Sequence, residues 1–451
     1  MKTIIEGQTN IIKLLGLQNM QDTEYRRMKY LLLRKCDDGL LLHNVITGEL
    51  VLLNEEEESI FNALPSKCNA MMDELIKKYF LVPVDYDEKK NVDNLRKLLT
   101  RLLSHDGINE FTILTTTCCN ARCFYCYESD LPHINMSEAI ANELLEYINK
   151  NRGKKNVILQ WFGGEPLVCA ERIDQICEGL DKREIKYISS MTSNGFLFNE
   201  EVIERAVKLW KLQNVQITID GTEDIYNKTK AYVSKEKSPY NRVIRNIQSL
   251  LKRNIRVVIR LNLDLHNAEN LFDLVDELSE RFENKNNLEV YSHILFEGVG
   301  FKPIDRDLRS KEMLYQAQEV LSNKIEKLGM TDVRRKIPFL KTHSCMADAE
   351  NSVVVYPDGS LFKCEHIRMG DVFGHIDGSI TNADRIEQFM ETMDKKECNA
   401  CSLYPSCIKL KKCPGSKELN VRNCEYDINS IERAMEEHYR YSLIKRQKHD
   451  C

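Results

Sequence analysis

Three closely spaced cysteines in the segment Cys-Cys-Asn-Ala-Arg-Cys-Phe-Tyr-Cys-Tyr are the first candidates for chemistry. Cys119, Cys123 and Cys126, here called the first cysteine group, are separated by three and two residues. Thiolates are soft ligands that select zinc or iron–sulfur clusters. On a four-iron cluster, three such ligands leave one iron open to a substrate or cofactor. An incomplete zinc site or three core cysteines are the alternative interpretations.

Seven further cysteines fall within 80 residues in the C-terminal part of the sequence. They are Cys345, Cys364, Cys398, Cys401, Cys407, Cys413 and Cys424. Their density indicates metal binding, and one or two structural zinc sites are the alternative to iron–sulfur clusters. The other cysteines have no partners at ligand spacing and are predicted to be core side chains, with Cys451 left undecided. These core candidates are Cys36, Cys68, Cys118, Cys169 and Cys177.

Sixteen cysteines in 451 residues are too few for a disulfide scaffold and too many for core filling alone. The segment MKTIIEGQTN has no apolar run of signal-peptide length, because Glu6 interrupts it. No stretch approaches the roughly eighteen apolar residues of a membrane span. We therefore predict a cytoplasmic protein with reduced thiols and no membrane contact. The net charge of −5 offers no basic excess for binding nucleic acid.

Alternating strand and helix patterns must position the first cysteine group. Six apolar runs are predicted to be strands, and amphipathic helices separate them. This alternation predicts βαβ units with a parallel sheet. Ser137 is the predicted N-cap of the first of these helices. Six strands form either a partial barrel or an open sheet. The predicted strands are Phe111–Thr115, Val157–Phe162, Ile185–Met191, Val215–Ile219, Arg256–Leu263 and Leu288–Leu295.

The sequence before residue 110 predicts a separate small module. Residues 1–85 combine short strands with helices, as in a winged-helix-like domain, and residues 86–108 predict a linker helix. Four consecutive acidic residues, Glu55 to Glu58, would repel phosphate and disfavour DNA binding. The predicted organisation continues with a partial barrel over 109–300, a bridging region over 301–344 and a cysteine-rich domain over 345–451.

The cysteine loop after the first strand resembles the signature of radical S-adenosylmethionine (SAM) enzymes. Gly163-Gly164-Glu165-Pro166, at the end of the second strand, resembles the family segment that holds the methionine amino group, with Glu165 supplying a carboxylate. Thr192–Gly195 and Thr218–Gly221 resemble segments near the methionine and ribose, although ordinary turn chemistry also explains them. The resemblance implies a set of SAM-binding residues: Tyr125, Gly163, Gly164, Glu165, Ser193, Asn194, Thr218, Asp220, Lys230 and Arg260.

Two of these residues are candidates for the carboxylate of SAM. Lys230 stands where some family members carry an arginine, and Arg260 lies within an apolar strand. A buried strand arginine needs an anionic partner, which a structural ion pair would also provide. The resemblance implies that the reduced [4Fe–4S] cluster cleaves SAM to methionine and a 5′-deoxyadenosyl radical, which abstracts hydrogen from an unactivated carbon.

The C-terminal cysteines resemble the SPASM domain of radical enzymes that modify peptides, which carries two auxiliary [4Fe–4S] clusters. By that pattern, Cys345, Cys364 and Cys413 would hold the first auxiliary cluster, which is one ligand short. Cys451, His343 or a substrate thiolate could complete it. The second auxiliary cluster would use Cys398, Cys401, Cys407 and Cys424. The resemblance therefore implies SAM and three [4Fe–4S] clusters as cofactors.

These resemblances predict an α/β protein: a partial (β/α)6 radical SAM barrel between a winged-helix-like domain and an iron–sulfur domain. The predicted function is a maturase that forms a thioether crosslink in a ribosomally made precursor peptide, as for sactipeptides or ranthipeptides. Carbon–carbon crosslinking and oxidation of a cysteine or serine to formylglycine are the alternatives. The expected partners are a precursor peptide, whose leader pairs with the N-terminal module, and an electron donor such as flavodoxin or ferredoxin. No residue is identified as a catalytic base.

Overall fold

The centre of the protein is a nine-stranded sheet. The computed structural model describes residues 1–15, 22–67, 69–104, 107–296, 306–393, 396–413 and 428–447. The predictions for Cys68, Cys424 and Cys451 lie outside these residues. Six sheet strands follow one another in chain order and pair in parallel. They are β8 (Glu110–Thr116), β9 (Val157–Gly163), β10 (Tyr187–Ser193), β11 (Leu212–Thr218), β12 (Arg256–Leu263) and β13 (Leu288–Ile294).

Helices connect these strands and bury one apolar face against them. They are α5 (Glu138–Asn151), α6 (Ala170–Lys182), α7 (Glu200–Lys208), α8 (Glu223–Lys230), α9 (Pro239–Lys252), α10 (Ala268–Arg281) and α11 (Leu308–Lys327). In α9, Val243, Ile247 and Leu250 recur at helical spacing and are fully buried. Ser137 caps α5 by accepting a hydrogen bond from the backbone N–H of Ile140, as predicted. The predicted parallel α/β architecture is confirmed.

Three C-terminal strands extend this sheet beyond the six predicted strands. They are β14 (Ser352–Val355), β15 (Ser360–Phe362) and β16 (Gly374–His375). Strand β14 pairs in parallel with β8, and β15 and β16 continue in antiparallel pairing. Cys364 lies two residues after the end of β15. The C-terminal cysteine segment is therefore attached to the strand that leads into the first cysteine group.

The N-terminal module contains two small sheets. One has the order β1-β5-β4-β3 and the other β6-β2-β7. The strands are β1 (Lys2–Ile5), β2 (Glu24–Arg27), β3 (Leu31–Cys36), β4 (Gly39–Asn44), β5 (Leu50–Leu53), β6 (Ser66–Lys67) and β7 (Leu81–Pro83). The helices are α1 (Thr9–Leu15), α2 (Glu55–Asn62), α3 (Asp73–Lys77) and α4 (Glu88–Ser104).

Two helices complete the C-terminal part, α12 (Asp384–Met390) and α13 (Ile428–Gln447). Helix α13 packs on the first N-terminal sheet, where Ile431 and Met435 join its buried core. Arg34 on β3 also pairs with Glu432 and Glu436 of α13. The N-terminal module and the C-terminal helix therefore share one core. None of the described helices is both long and apolar enough to cross a membrane.

Candidate functional site

A cavity of about 330 Å³ opens where the parallel strands end. Cys119, Cys123 and Cys126 all line it, and they follow strand β8 on one loop. The loop is fixed by its own hydrogen bonds, including Cys126 N–H to the Cys123 carbonyl at 3.2 Å. The sequence motif and the cavity therefore coincide.

The thiols of the first cysteine group are partly buried in the cavity wall. Burial raises the pKa of Cys119 to about 12, with the charge of Glu165 as the next cause, and raises that of Cys126 to about 11. Such thiols ionise only when a nearby positive charge compensates them, as a metal does. Within the described ranges, no three Cys, His, Asp or Glu side chains are arranged to hold a single metal ion. The donor set, three soft thiols around one cavity, fits an iron–sulfur cluster with one open iron.

Positions 163 and 164 need glycine, because the backbone of a neighbouring segment comes too close to leave room for a Cβ atom. A Cβ atom on Gly163 would lie 2.2 Å from the Thr116 carbonyl, and one on Gly164 would lie 2.4 Å from the Cys118 carbonyl. Gly163 also has a φ of +114°, which L side chains rarely adopt. In this structure the two glycines let strand β9 approach the cysteine loop itself. Both still line the cavity, as predicted for SAM-binding residues.

Glu165 is fully buried behind the cavity wall. Its carboxylate accepts hydrogen bonds from Ser193 Oγ at 2.9 Å, Asn194 N–H at 2.8 Å and Leu167 N–H at 3.2 Å. Burial raises the pKa of Glu165 to about 7, against the lowering effect of these bonds. The carboxylate predicted to receive the methionine ammonium therefore orders the Ser193–Asn194 turn in this structure. Its contact with SAM stays a prediction.

Asp220, Lys230 and Tyr125 form a buried polar cluster. Lys230 Nζ lies 3.1 Å from an Asp220 carboxylate oxygen and donates to the Tyr125 hydroxyl at 2.9 Å. The same hydroxyl donates to Asp220 at 2.9 Å. Burial alone would lower the pKa of Lys230, but Asp220, Tyr125 and Cys123 together raise it well above its ordinary value. Lys230 also lines the cavity, so its ammonium is held at the wall by an internal carboxylate.

Arg260 and Thr218 complete the predicted SAM-binding set on the neighbouring strands, and both line the cavity. Arg260 Nε donates to Asn262 Oδ1 at 3.0 Å, and Asn262 in turn donates to Asp220. Of the ten predicted residues, only Glu165 and Asp220 do not line the cavity, and both support residues that do.

Several cavity residues that were not predicted from the sequence come from two loops. Glu128 and Tyr127 directly follow the first cysteine group, while Glu365 and His366 directly follow Cys364, and all four line the cavity. Burial, and then the charge of Glu365, raises the pKa of Glu128 to about 8. Their position immediately beyond predicted ligands was the only sequence signal that could have identified them.

The structure brings together Cys345, Cys364 and Cys413, the second cysteine group. The thiols of Cys345 and Cys413 both act electrostatically on Cys364, whose pKa burial raises to about 12. The loop before Cys345 is held by Asp348, which accepts from the backbone N–H groups of Ser344 and Cys345. His343, one candidate for the missing ligand, has Nδ1 3.1 Å from Thr342 Oγ1.

The third cysteine group is Cys398, Cys401 and Cys407. Cys401 N–H donates to the Cys398 carbonyl at 3.2 Å, and Cys407 N–H donates to the Tyr404 carbonyl at 3.2 Å. Cys398 and Cys401 pack against the core shared by the N-terminal module and α13. The two C-terminal groups are therefore distinct in the fold, and their metal content stays a prediction. Among the core candidates, Cys169 and Cys177 are buried, and Cys36 and Cys118 are partly buried.

Comparison with known proteins finds a family model that matches the strand-rich part of this site. Residues 113–279 match the family model described as the Radical SAM superfamily. Two curated relatives are GTP 3′,8-cyclases of Clostridium perfringens, from strain 13 and strain SM101. They are 26% identical over 279 residues, which are 58% of this chain and 82% of theirs.

Solved structures share the same fold. Native anSMEcpe with bound AdoMet has a TM-score of 0.54 at 16% identity, covering 74% of this chain and 98% of that chain. The same enzyme with bound AdoMet and Cp18Cys peptide has a TM-score of 0.53 at 17% identity, covering 74% and 97%. These likenesses confirm the predicted fold class.

Proposed function

We propose that the protein is a radical SAM peptide maturase that forms thioether crosslinks, because residues 113–279 match the Radical SAM superfamily model. One observation carries the proposal. The cavity that contains the first cysteine group is also lined by Glu365 and His366, which directly follow Cys364 of the second cysteine group. A substrate residue in this cavity would thus lie between the radical site and a second set of thiols.

The family implies SAM and a [4Fe–4S] cluster, and the residues present fit both. Cys119, Cys123 and Cys126 would hold the cluster, and the turn ordered by Glu165 would hold SAM. When bound and reduced, this pair supplies a 5′-deoxyadenosyl radical. The chain's own contribution is a largely buried cavity wall that positions the substrate carbon and excludes water.

Thioether formation requires the loss of two hydrogens from the peptide. One leaves a carbon as a hydrogen atom, and the thiol proton and one electron leave as the sulfur–carbon bond forms. We assign the thiol to the open position of the second cysteine group, which has three described cysteines. An oxidised iron–sulfur cluster, if held by that group, would accept the electron, and a base or water would take the thiol proton. A spectrum of substrate-free enzyme that shows four protein ligands there would rule out thiolate binding.

A peptide is the favoured substrate for two reasons. The relative of shared fold, anSMEcpe, was solved with a bound peptide. The N-terminal module also presents β3 at the edge of its sheet, where an extended leader could add as a further strand. An external donor such as flavodoxin or ferredoxin would supply electrons.

A nucleotide cyclase is the second candidate because the curated relatives are GTP 3′,8-cyclases. A nucleoside triphosphate needs basic side chains around its phosphates. In the described part of the cavity wall, Lys230 is already paired with Asp220, Arg260 acts on Glu365, and Glu128 is a further acidic residue. This charge pattern favours a peptide over GTP.

The test is anaerobic reaction of the reconstituted full chain with a cysteine-rich peptide encoded beside its gene. A two-hydrogen mass loss with loss of thiol alkylation is the expected result. The same mass loss with all thiols free would indicate carbon–carbon crosslinking, and a new aldehyde would indicate formylglycine. Conversion of GTP with no change in the peptide would replace the proposal with the cyclase. Cys364→Ala should keep SAM cleavage and lose the crosslink.

A further inference from the structure

We propose that Glu128, Glu365 and His366 form a subsite for the ammonium group of a lysine side chain in the substrate. This inference rests on the proposed function in taking the substrate to be a peptide. It concerns a group of cavity residues that the SAM-binding set does not include. All three line the cavity that holds the first cysteine group.

The carboxyl group of Glu128 is buried at the cavity wall. Glu128 is 6% exposed, and its Oε1 atom has no hydrogen-bond partner among the described residues. The charged group that acts on it is another carboxylate, Glu365. A buried, unpaired carboxylate costs free energy unless a cation or hydrogen-bond donor reaches it. We therefore expect the ligand beside Glu128 and Glu365 to carry a positive charge.

Lys230 and Arg260, the described basic residues that line the cavity, form no ion pair with Glu128. Lys230 is bound to Asp220 and Tyr125. Arg260 acts electrostatically on Glu365, and its Nε donates to Asn262. In the described residues, neither Glu128 nor Glu365 takes part in an ion pair. Among the described residues, Arg260 acts on Glu365 but no cation acts on Glu128, so we assign the charge that compensates Glu128 to a ligand.

The acceptors match an ammonium better than a guanidinium. An ammonium has three N–H donors on one compact charge, whereas a guanidinium is planar and suits one carboxylate through two parallel bonds. Two carboxylates approach here from separate loops. The buried Nδ1 of His366 is a third acceptor, because it too has no hydrogen-bond partner among the described residues.

Aromatic rings beside the acceptors suit a methylene stem. Tyr127 stacks on His366 with ring centroids 4.3 Å apart, and Phe296 meets His366 edge-on at 5.6 Å. Both Tyr127 and Phe296 line the cavity. An apolar wall that leads to a polar end is the environment in which a lysine buries its stem and pairs its charge. The geometry thus specifies an aliphatic amine rather than a small metal cation.

The test measures binding without turnover. The probes are Nα-acetyl-L-lysine amide and Nα-acetyl-L-norleucine amide, titrated calorimetrically into the anaerobically reconstituted full chain with SAM bound. We expect the lysine amide to bind about 10-fold more tightly, the effect of one charge-assisted hydrogen bond of roughly 1.4 kcal/mol. Equal binding of the two amides by the wild type, or tighter binding of Nα-acetyl-L-arginine amide, would overturn the assignment.

Isosteric variants show which carboxyl groups cause the preference for the lysine amide over the norleucine amide. Glu128→Gln and Glu365→Gln should each reduce the lysine preference, and the double variant should abolish it. Glu350→Gln, an exposed carboxylate on the preceding segment, is the control and should retain it. Iron content and SAM affinity must stay at wild-type values to show intact folding. A preference that survives in the double variant would refute the subsite. Retained preference without any crosslink would instead reject only the maturase function.

Discussion

The ring of Tyr127 stacks on the ring of His366, with centroids 4.3 Å apart. Tyr127 directly follows Cys126 of the first cysteine group, and His366 follows Cys364 of the second by two residues. Two loops that lie more than two hundred residues apart in sequence therefore meet at one aromatic contact. This contact joins the segment that matches the Radical SAM superfamily model to the C-terminal cysteine segment at the cavity.

Removing the Tyr127 ring should loosen both loops. We expect Tyr127→Ala to lower the free energy of unfolding by about 2 kcal/mol, less than the deletion of a fully buried ring costs, because Tyr127 is only partly buried. Tyr127→Phe keeps the ring and should stay within about 1 kcal/mol of wild type. Urea unfolding of the metal-free protein measures both. Equal transition midpoints for Tyr127→Ala and wild type would show that the contact stabilises neither loop.

The Asp220–Lys230 pair predicts unequal effects of its two single variants. Asp220→Asn leaves a buried ammonium without its carboxylate, which should cost about 3 to 5 kcal/mol. Lys230→Met should cost less, because Asp220 keeps hydrogen bonds from Tyr125 and Asn262. The double variant should unfold at a higher urea concentration than Asp220→Asn. An Asp220→Asn protein as stable as Lys230→Met would contradict this account of the pair.

Glu165 should act on SAM affinity through the turn that it orders. Glu165→Gln replaces one accepting oxygen by an NH₂ group, so Ser193 and Asn194, which donate to different oxygens, cannot both keep their acceptor. Loss of one charge-assisted bond should raise the Kd for SAM about 10-fold or more. Glu178→Gln, exposed on helix α6, is the control. Equilibrium dialysis with SAM makes the measurement, and an unchanged Kd for Glu165→Gln would remove Glu165 from the SAM site.

His43 predicts an acid-sensitive N-terminal module. It is fully buried against the Pro338 carbonyl, 2.6 Å from Nε2, and burial lowers its pKa to about 4. The unfolded chain binds this proton near pH 6.5, so stability should fall as the pH drops from about 6.5 towards 4. At pH 5 the loss attributable to His43 should be about 2 kcal/mol.

Urea unfolding of the metal-free protein at pH 7 and pH 5 tests this sign. His43→Gln can still donate to Pro338 but does not titrate, so its unfolding free energy should change less between the two pH values. A variant with the same pH dependence as wild type would show that His43 is not the titrating group.

Regular patterns made the central fold predictable. Strands β8 to β13 are apolar runs separated by amphipathic helices, and the cysteine loop and Gly163-Gly164 lie at strand ends, where parallel sheets place their sites. Strands β14 to β16 have two to four residues each, too short for a periodic signal. Glu128 and Glu365 are single residues that acquire meaning only because two distant loops meet. The role of Glu165 likewise depends on tertiary partners on strand β10.

Cleavage of SAM is the direct test of whether the first cysteine group holds a cluster that acts on SAM. The anaerobically reconstituted full chain is reduced with dithionite and incubated with SAM, and 5′-deoxyadenosine and methionine are quantified by chromatography. We expect both products in equal amounts from wild type and from Cys413→Ala, and neither from Cys123→Ala. Iron-loaded wild type that forms no 5′-deoxyadenosine, or a Cys123→Ala variant that forms as much as wild type, would contradict the assignment of the first cysteine group.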